Sequence, residues 1–270
     1  MKRRAPGFLL GSVLFGACAM NPIDAMIFFP DRFMPAPPPG VEERWLTAAD
    51  GTRLHAWVAR GPNAQATLVW SHGNAGNIAG RLPVLRALAA RGLAVLAYDY
   101  RGYGKSDGAP SERGVYLDAE AAYDSERALG TPASRIVCFG ESLGGAVSIH
   151  LATRRPCAAV AVVSTFTTLR EVGRAHYGPF AALAGNRFDS AALVGGLGVP
   201  FFAAHGDEDE VVPFPLGERL FAAAREPKRF LRVAGAHHND VFDAPGTPGA
   251  LGALGLIDAI AAFVKESTRA

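Results

Sequence analysis

The sequence predicts an α/β protein whose mostly parallel sheet is covered by helices on both faces. Two observations predict it. Short apolar runs occur without polar alternation, as strands buried on both faces require. Between them lie longer stretches with helical spacing, bounded by capping and turn residues, the pattern of strand–helix crossovers.

Taken in order, Glu43 to Ala49 and Thr52 to Arg60 are short alternating runs joined by Asp50-Gly51. A D-G turn between such runs signals a hairpin. Ala66 to Ser71 is an apolar strand, Ile78 to Arg91 a helix ended by Gly92, and Leu93 to Tyr98 a second strand. Ser111 caps a helix running to Leu129, closed by Gly130. Arg135 to Phe139 is a strand followed by a helix from Ser142 to Thr153. Ala158 to Ser164, Phe201 to Ala204 and Arg229 to Val233 are further strands, and Pro248 to Val264 is helical. Thr167 to Val199 has weak periodicity and sits where a small lid would be inserted.

A chain of 270 residues, 49% hydrophobic, suits one large domain with a well-buried core. Its formal charge of +2, with no concentrated basic patch, argues against nucleic-acid binding. Cys138 and Cys157 fall in apolar runs and read as buried small hydrophobes, and no C-x-x-C pair supports a zinc or thioredoxin-like site. Lys2, Arg3 and Arg4 precede an apolar run from Phe8 to Ala17, and Cys18 follows. This reads as a leader or anchor over residues 1–20, and it resembles a bacterial lipoprotein signal in which Cys18 is lipidated. Membrane association through the N-terminus, on the exported side, is the expectation. Residues 21–42, rich in proline from Pro30 to Gly40, read as an extended linker that holds residues 43–270 away from the bilayer.

Gly140-Glu141-Ser142-Leu143-Gly144 has the form G-x-S-x-G, placed between an apolar strand and an apolar helix. That context makes Ser142 the candidate nucleophile on a sharp strand-to-helix turn. A serine needs a base, and the base an orienting acid. His238 lies just beyond the last strand, with His237 beside it. The acid is sought after the preceding strand, in His205-Gly206-Asp207-Glu208-Asp209-Glu210. An oxyanion hole needs two donors. The Leu143 backbone N–H is one, and the loop His72-Gly73-Asn74-Ala75-Gly76 offers the Asn74 N–H, with Ala75 as its neighbour. His72 reads as a loop-shaping residue. Gly104-Lys105-Ser106 lacks the earlier glycine of a phosphate loop, and the His and Asp residues lack metal-ligand spacing, so no cofactor or metal is expected.

Trp70-Ser71-His72-Gly73-Asn74, Asp99-Tyr100-Arg101-Gly102-Tyr103-Gly104-Lys105-Ser106, the Ser142 motif, His205-Gly206-x-x-Asp209-x-Val211-Val212 and His238-Asn239-Asp240 occur in that order. Together they resemble the α/β-hydrolase superfamily, in the branch of serine aminopeptidase-like hydrolases and α/β-hydrolase-domain depalmitoylases. The resemblance implies the α/β-hydrolase fold, with Asp209 rather than Asp207 as the acid and His238 rather than His237 as the base. It implies hydrolysis of a small-molecule acyl substrate, an ester or thioester, through an acyl-enzyme on Ser142. A serine peptidase, or a non-enzymatic binding protein on the same fold, is the alternative.

Overall fold

The computed structural model describes residues 22–179, 182, 185–243 and 255–269. The chain enters through a short helix, α1 (Pro22–Ile27), and a two-residue strand, β1 (Phe29–Pro30). The predicted hairpin follows as β2 (Glu42–Thr47) and β3 (Arg53–Arg60), antiparallel with Thr47 opposite Arg53. Then come β4 (Thr67–Ser71), β5 (Ala75–Gly76), α2 (Leu82–Ala90), β6 (Ala94–Tyr98), α3 (Glu112–Ala128), β7 (Ile136–Glu141), α4 (Leu143–Arg154) and β8 (Ala159–Val163). The chain continues with α5 (Leu169–Tyr177), α6 (Ser190–Val194), β9 (Phe201–Gly206), α7 (Phe214–Ala223), β10 (Lys228–Val233) and α8 (Leu256–Ser267).

Among the described residues the main sheet has eight strands in the order β10-β9-β8-β7-β4-β6-β3-β2. Pairing is parallel from β10 to β6 and antiparallel at β3 and β2. The inner strands are buried on both faces, and alternate residues feed two separate cores. Val69, Cys138, Val160 and Val162 meet Val115 and Ala119 of α3 and Val147 of α4 on one face. Leu68, Trp70, Phe139 and Val163 meet Leu85 and Leu88 of α2 and Ile260 and Val264 of α8 on the other. This double burial explains why the strands read as unbroken apolar runs.

Two expectations are corrected. Residues 21–42 are not a free spacer: Ile27 and Phe28 are buried, β1 pairs with β5, and Asp24 forms an ion pair with Arg187. Apolar side chains at 27 and 28 anchor the chain before the dense proline run, Pro35 to Pro39, begins. The helix expected from Ile78 opens as a 3-10 turn, Ile78–Arg81, because Pro83 suits only the first turn of the α-helix that follows. The C-terminal helix runs Leu256–Ser267, and the stretch 248–254 of the expectation lies outside the described residues. The leader, with Cys18, lies outside them too. Within 167–199 the structure places α5 and α6, and between them Phe188 is fully buried. Among the described residues no helix is long and apolar enough to cross a membrane.

Candidate active site

Ser142 stands between β7 and α4 with φ 52° and ψ −119°. L-residues rarely adopt that conformation, and holding one there costs about 1–3 kcal/mol. The surroundings impose it. The Ser142 N–H donates to the Val163 carbonyl at 2.9 Å, and its carbonyl accepts from Gly145 N–H at 3.0 Å and Thr165 Oγ1 at 2.8 Å. The flanking glycines are there for space. A Cβ on Gly140 would lie 2.1 Å from the Gly144 carbonyl oxygen, and one on Gly144 only 1.9 Å from that of Ser71. The motif is the sequence trace of a helix start pressed against two strand ends.

The hydroxyl of Ser142 lies 3.0 Å from His238 Nε2, and His238 Nδ1 lies 2.8 Å from Asp209 Oδ2. The three side chains named from the sequence form one hydrogen-bonded chain. Strand order explains the meeting, because β7, β9 and β10 run parallel and end at the same sheet edge. His237, one position earlier, points elsewhere: it is exposed, and its Nδ1 pairs with Glu210 at 3.1 Å. That contact raises its pKa. Asp207 holds the loop instead, accepting from Arg232 Nε at 2.8 Å and Gly235 N–H at 2.6 Å.

Asp209 is buried, yet its carboxyl is held well below the usual carboxylate range. Burial alone pushes the carboxyl up. Hydrogen bonds from His205 and His238, the His238 charge and the Val212 N–H outweigh it. Oδ1 accepts from the N–H groups of Val211 at 2.9 Å and Val212 at 2.7 Å. Oδ2 takes His238 and, at 3.3 Å, His205 Nε2, which also reaches the Val212 carbonyl at 2.8 Å. Sequence reading gave His205 no role. Its only trace was its fixed place four residues before Asp209.

The loop after β4 is braced from every side. Tyr100 donates to the His72 carbonyl at 2.8 Å and Tyr103 to the Asn74 carbonyl at 2.7 Å. Arg81 donates to the Ala75 carbonyl at 2.7 Å and to Glu141 at 3.2 Å. The Asn74 side chain donates to the Ile27 carbonyl, which ties this loop to α1. His72 is fully buried, donates from Nδ1 to the Gly73 carbonyl at 2.6 Å, and is pushed down to about 3 by burial and by the Arg81 charge. It is a neutral imidazole in the loop wall. Leu143 is the first residue of α4, so its N–H has no carbonyl to bond within the helix. Cys138 and Cys157 are both free, the first buried. Among the described residues no group of three or more His, Cys, Asp or Glu could hold a metal ion.

Residues 62–193, which include Ser142, match the family described as serine aminopeptidase, S33. An uncharacterized protein of Mycobacterium tuberculosis is 44% identical over 198 residues, 71% of this chain and 70% of that protein. The uncharacterized protein YfhR of Escherichia coli is 32% identical over 256 residues, 90% of each chain. Alpha/beta hydrolase domain-containing protein 17B of Xenopus tropicalis is 34% identical over 194 residues, 71% of this chain and 67% of that protein. Among solved structures, an esterase of Pyrococcus furiosus superposes with a TM-score of 0.71 at 18% identity, covering 89% of this chain and 97% of that one. The esterase domain of a Rhodothermus marinus protein gives 0.64 at 21% identity, with 84% and 98% covered. A relative named as an alpha/beta hydrolase domain-containing protein, 34% identical over most of the chain, and a fold shared with the solved esterases lead to one conclusion: this chain belongs to the α/β-hydrolase superfamily.

Proposed function

We propose that the protein is a serine hydrolase that cleaves carboxylic esters or thioesters of small molecules through an acyl-enzyme on Ser142. The observation that carries this reading is the hydrogen-bonded chain from Ser142 Oγ through His238 to Asp209, set at the elbow. Ser142 Oγ attacks the substrate carbonyl while His238 Nε2 takes its proton. The Asp209 carboxylate, ionised across the working pH range, fixes the tautomer of His238 and stabilises the imidazolium. The backbone N–H of Leu143 receives the oxyanion. The carbonyl and side chain of Asn74 are already engaged, so its share in the hole is its own N–H. Each such donor is worth about 3 kcal/mol of transition-state stabilisation. His238 then gives its proton to the leaving group. A water that loses a proton to His238 attacks the acyl carbonyl, and Ser142 recovers its hydrogen.

Two solved structures of the same fold are named as esterases, which supports an ester substrate. The S33 description favours a second reading, an aminopeptidase using the same groups. A fluorophosphonate probe tests the nucleophile: labelling is expected in the parent and lost in a folded Ser142→Ala variant. Equal labelling of both would overturn the proposal, and no labelling of the parent would favour a binding protein. A series of p-nitrophenyl esters run beside aminoacyl amides separates esterase from peptidase. We also take residues 1–20 as an export leader with Cys18 as a lipid acceptor, on the exported side of a membrane. Membrane fractionation of the full chain against Cys18→Ser, with N-terminal sequencing, tests this; a wholly soluble parent retaining Met1 or Lys2 would overturn it.

A further inference from the structure

The segment that ties α1 and β1 to the loop after β4 also carries three exposed large apolar side chains within eight residues. Met26 is 77% exposed, Phe29 57% and Phe33 79%. Large apolar groups gathered on so short a stretch of surface mark an interaction face. Their exposure is not fraying, because the backbone beneath them is fixed. Ile27 and Phe28 are buried, and Phe28 meets Phe188 edge-on at 6.2 Å between ring centres. Asp31 N–H donates to the Gly76 carbonyl at 3.1 Å, and Asn77 Nδ2 to the carbonyl of Phe33 at 2.7 Å. The segment buries one side and presents the other.

The sequence before it says what the presented side meets. Lys2, Arg3 and Arg4, then the apolar run Phe8 to Ala17, suit a bilayer and its anionic headgroups. Only Cys18 to Asn21 separate that run from Pro22. Five chain steps span at most about 18 Å. If the run, or a lipid on Cys18, is held in a bilayer, Met26 and Phe29 are held within reach of the headgroups. The dense proline run Pro35 to Pro39 cannot act as the spacer, because it follows the docked segment. Arg32, between Phe29 and Phe33, is exposed and forms no ion pair among the described residues; its guanidinium donates to the Ser106 carbonyl at 3.2 Å.

We propose that Met26, Phe29 and Phe33 form the surface by which the protein lies on a lipid bilayer, with Ser142 near the headgroup level, so that its substrates are acyl esters dissolved in the membrane. The substrate half rests on the serine-hydrolase reading above; the docking half does not. The contact lies on the segment that Asn74 bonds, so the loop after β4 is tied directly to the membrane face.

Two measurements on the full chain test this. Phe33→Trp places an indole on the face. On vesicles of phosphatidylglycerol and phosphatidylethanolamine brominated along their acyl chains, fluorescence of this variant is expected to be quenched well beyond that of the parent. Quenching no greater than the parent's overturns the docking surface, even if the leader tethers both chains. In the second measurement, the Met26→Ser, Phe29→Ser, Phe33→Ser triple variant is compared with the parent on two substrates. Hydrolysis of a long-chain p-nitrophenyl ester carried in such vesicles is expected to fall at least about fivefold, as loss of interfacial apolar contact predicts. Hydrolysis of soluble p-nitrophenyl acetate is expected to hold. An equal fall on both substrates overturns the membrane-substrate assignment. Extra quenching in a protein that hydrolyses neither ester keeps the docking face and removes the ester-hydrolase reading together with the membrane-substrate assignment. Without vesicles, a parent that elutes as a dimer beside a monomeric triple variant would show instead that the face pairs two copies, which also overturns the proposal.

Discussion

Four donors converge on the Asp209 carboxylate, two backbone N–H groups on one oxygen and two imidazoles on the other. His238 is thereby held by a partner that is itself immobile. Groups acting as a unit fail as a unit, so His238→Ala and Asp209→Asn are each expected to lower kcat/KM by about four orders of magnitude. His237→Ala and Asp207→Asn, which touch only exposed partners, should stay within about tenfold of the parent if the chemistry tracks the hydrogen-bonded chain. A dead His237→Ala variant beside an active His238→Ala variant would refute the assignment. Sequence order and the G-x-S-x-G context were enough to point to Ser142 and to the two loops after β9 and β10, because each follows a strand of the same parallel set; the choice of Asp209 over Asp207 and of His238 over His237 came from the resemblance to the α/β-hydrolase superfamily. His205 was not legible: its bond to Asp209 depends on the turn between them, and nothing in residue type separates a histidine that braces a carboxylate from one that only fills a core.

The element that presents Ser142 is the junction of β7 with α4, and its tolerance is set by close backbone approach. A methyl group on Gly144 would sit 1.9 Å from the Ser71 oxygen, so the helix start or β4 must move. Gly144→Ala is expected to destabilise by at least about 3 kcal/mol, as overpacking against rigid backbone does. A urea midpoint within experimental scatter of the parent would contradict this. The loop after β4 is subtler. Tyr103→Phe removes the hydroxyl that holds the Asn74 carbonyl at 2.7 Å and is expected to lower stability by about 1 kcal/mol. If the Asn74 N–H serves the oxyanion, the same change should lower kcat more than it raises KM, and a change in KM alone would speak against that role. Strands and long helices were legible because burial on two faces and helical spacing leave patterns in composition. The two-residue strands β1 and β5 were not. Their pairing spans more than forty residues of chain and involves too few positions to have a period.

At the scale of the whole molecule, the layered sheet was legible, while the seating of residues 22–34 was not, since Pro35, Pro37, Pro38 and Pro39 outweighed Ile27 and Phe28 in any compositional reading. A buried titratable group in the loop after β4 also links stability to pH. His72 is held neutral down to about 3, against 6.5 for a free imidazole. Between those values the unfolded chain binds a proton that the folded one refuses, so stability falls as pH drops from about 6.5 towards 3. In His72→Asn that term vanishes, and the slope of unfolding free energy between pH 4 and 6 should flatten by up to about 1.4 kcal/mol per pH unit. Unchanged slopes in parent and variant would mean that His72 is not kept neutral. The left-handed backbone at Ser142 has a consequence for how the fold would respond to selection. Glycine adopts that conformation without strain, offset by about 0.5–1 kcal/mol of extra chain entropy in the unfolded state. Ser142→Gly should therefore be more heat-resistant than Ser142→Ala by about 1 kcal/mol. A library screened for thermal endurance alone would then drift towards Ser142→Gly, discarding the hydroxyl on which the proposed chemistry depends.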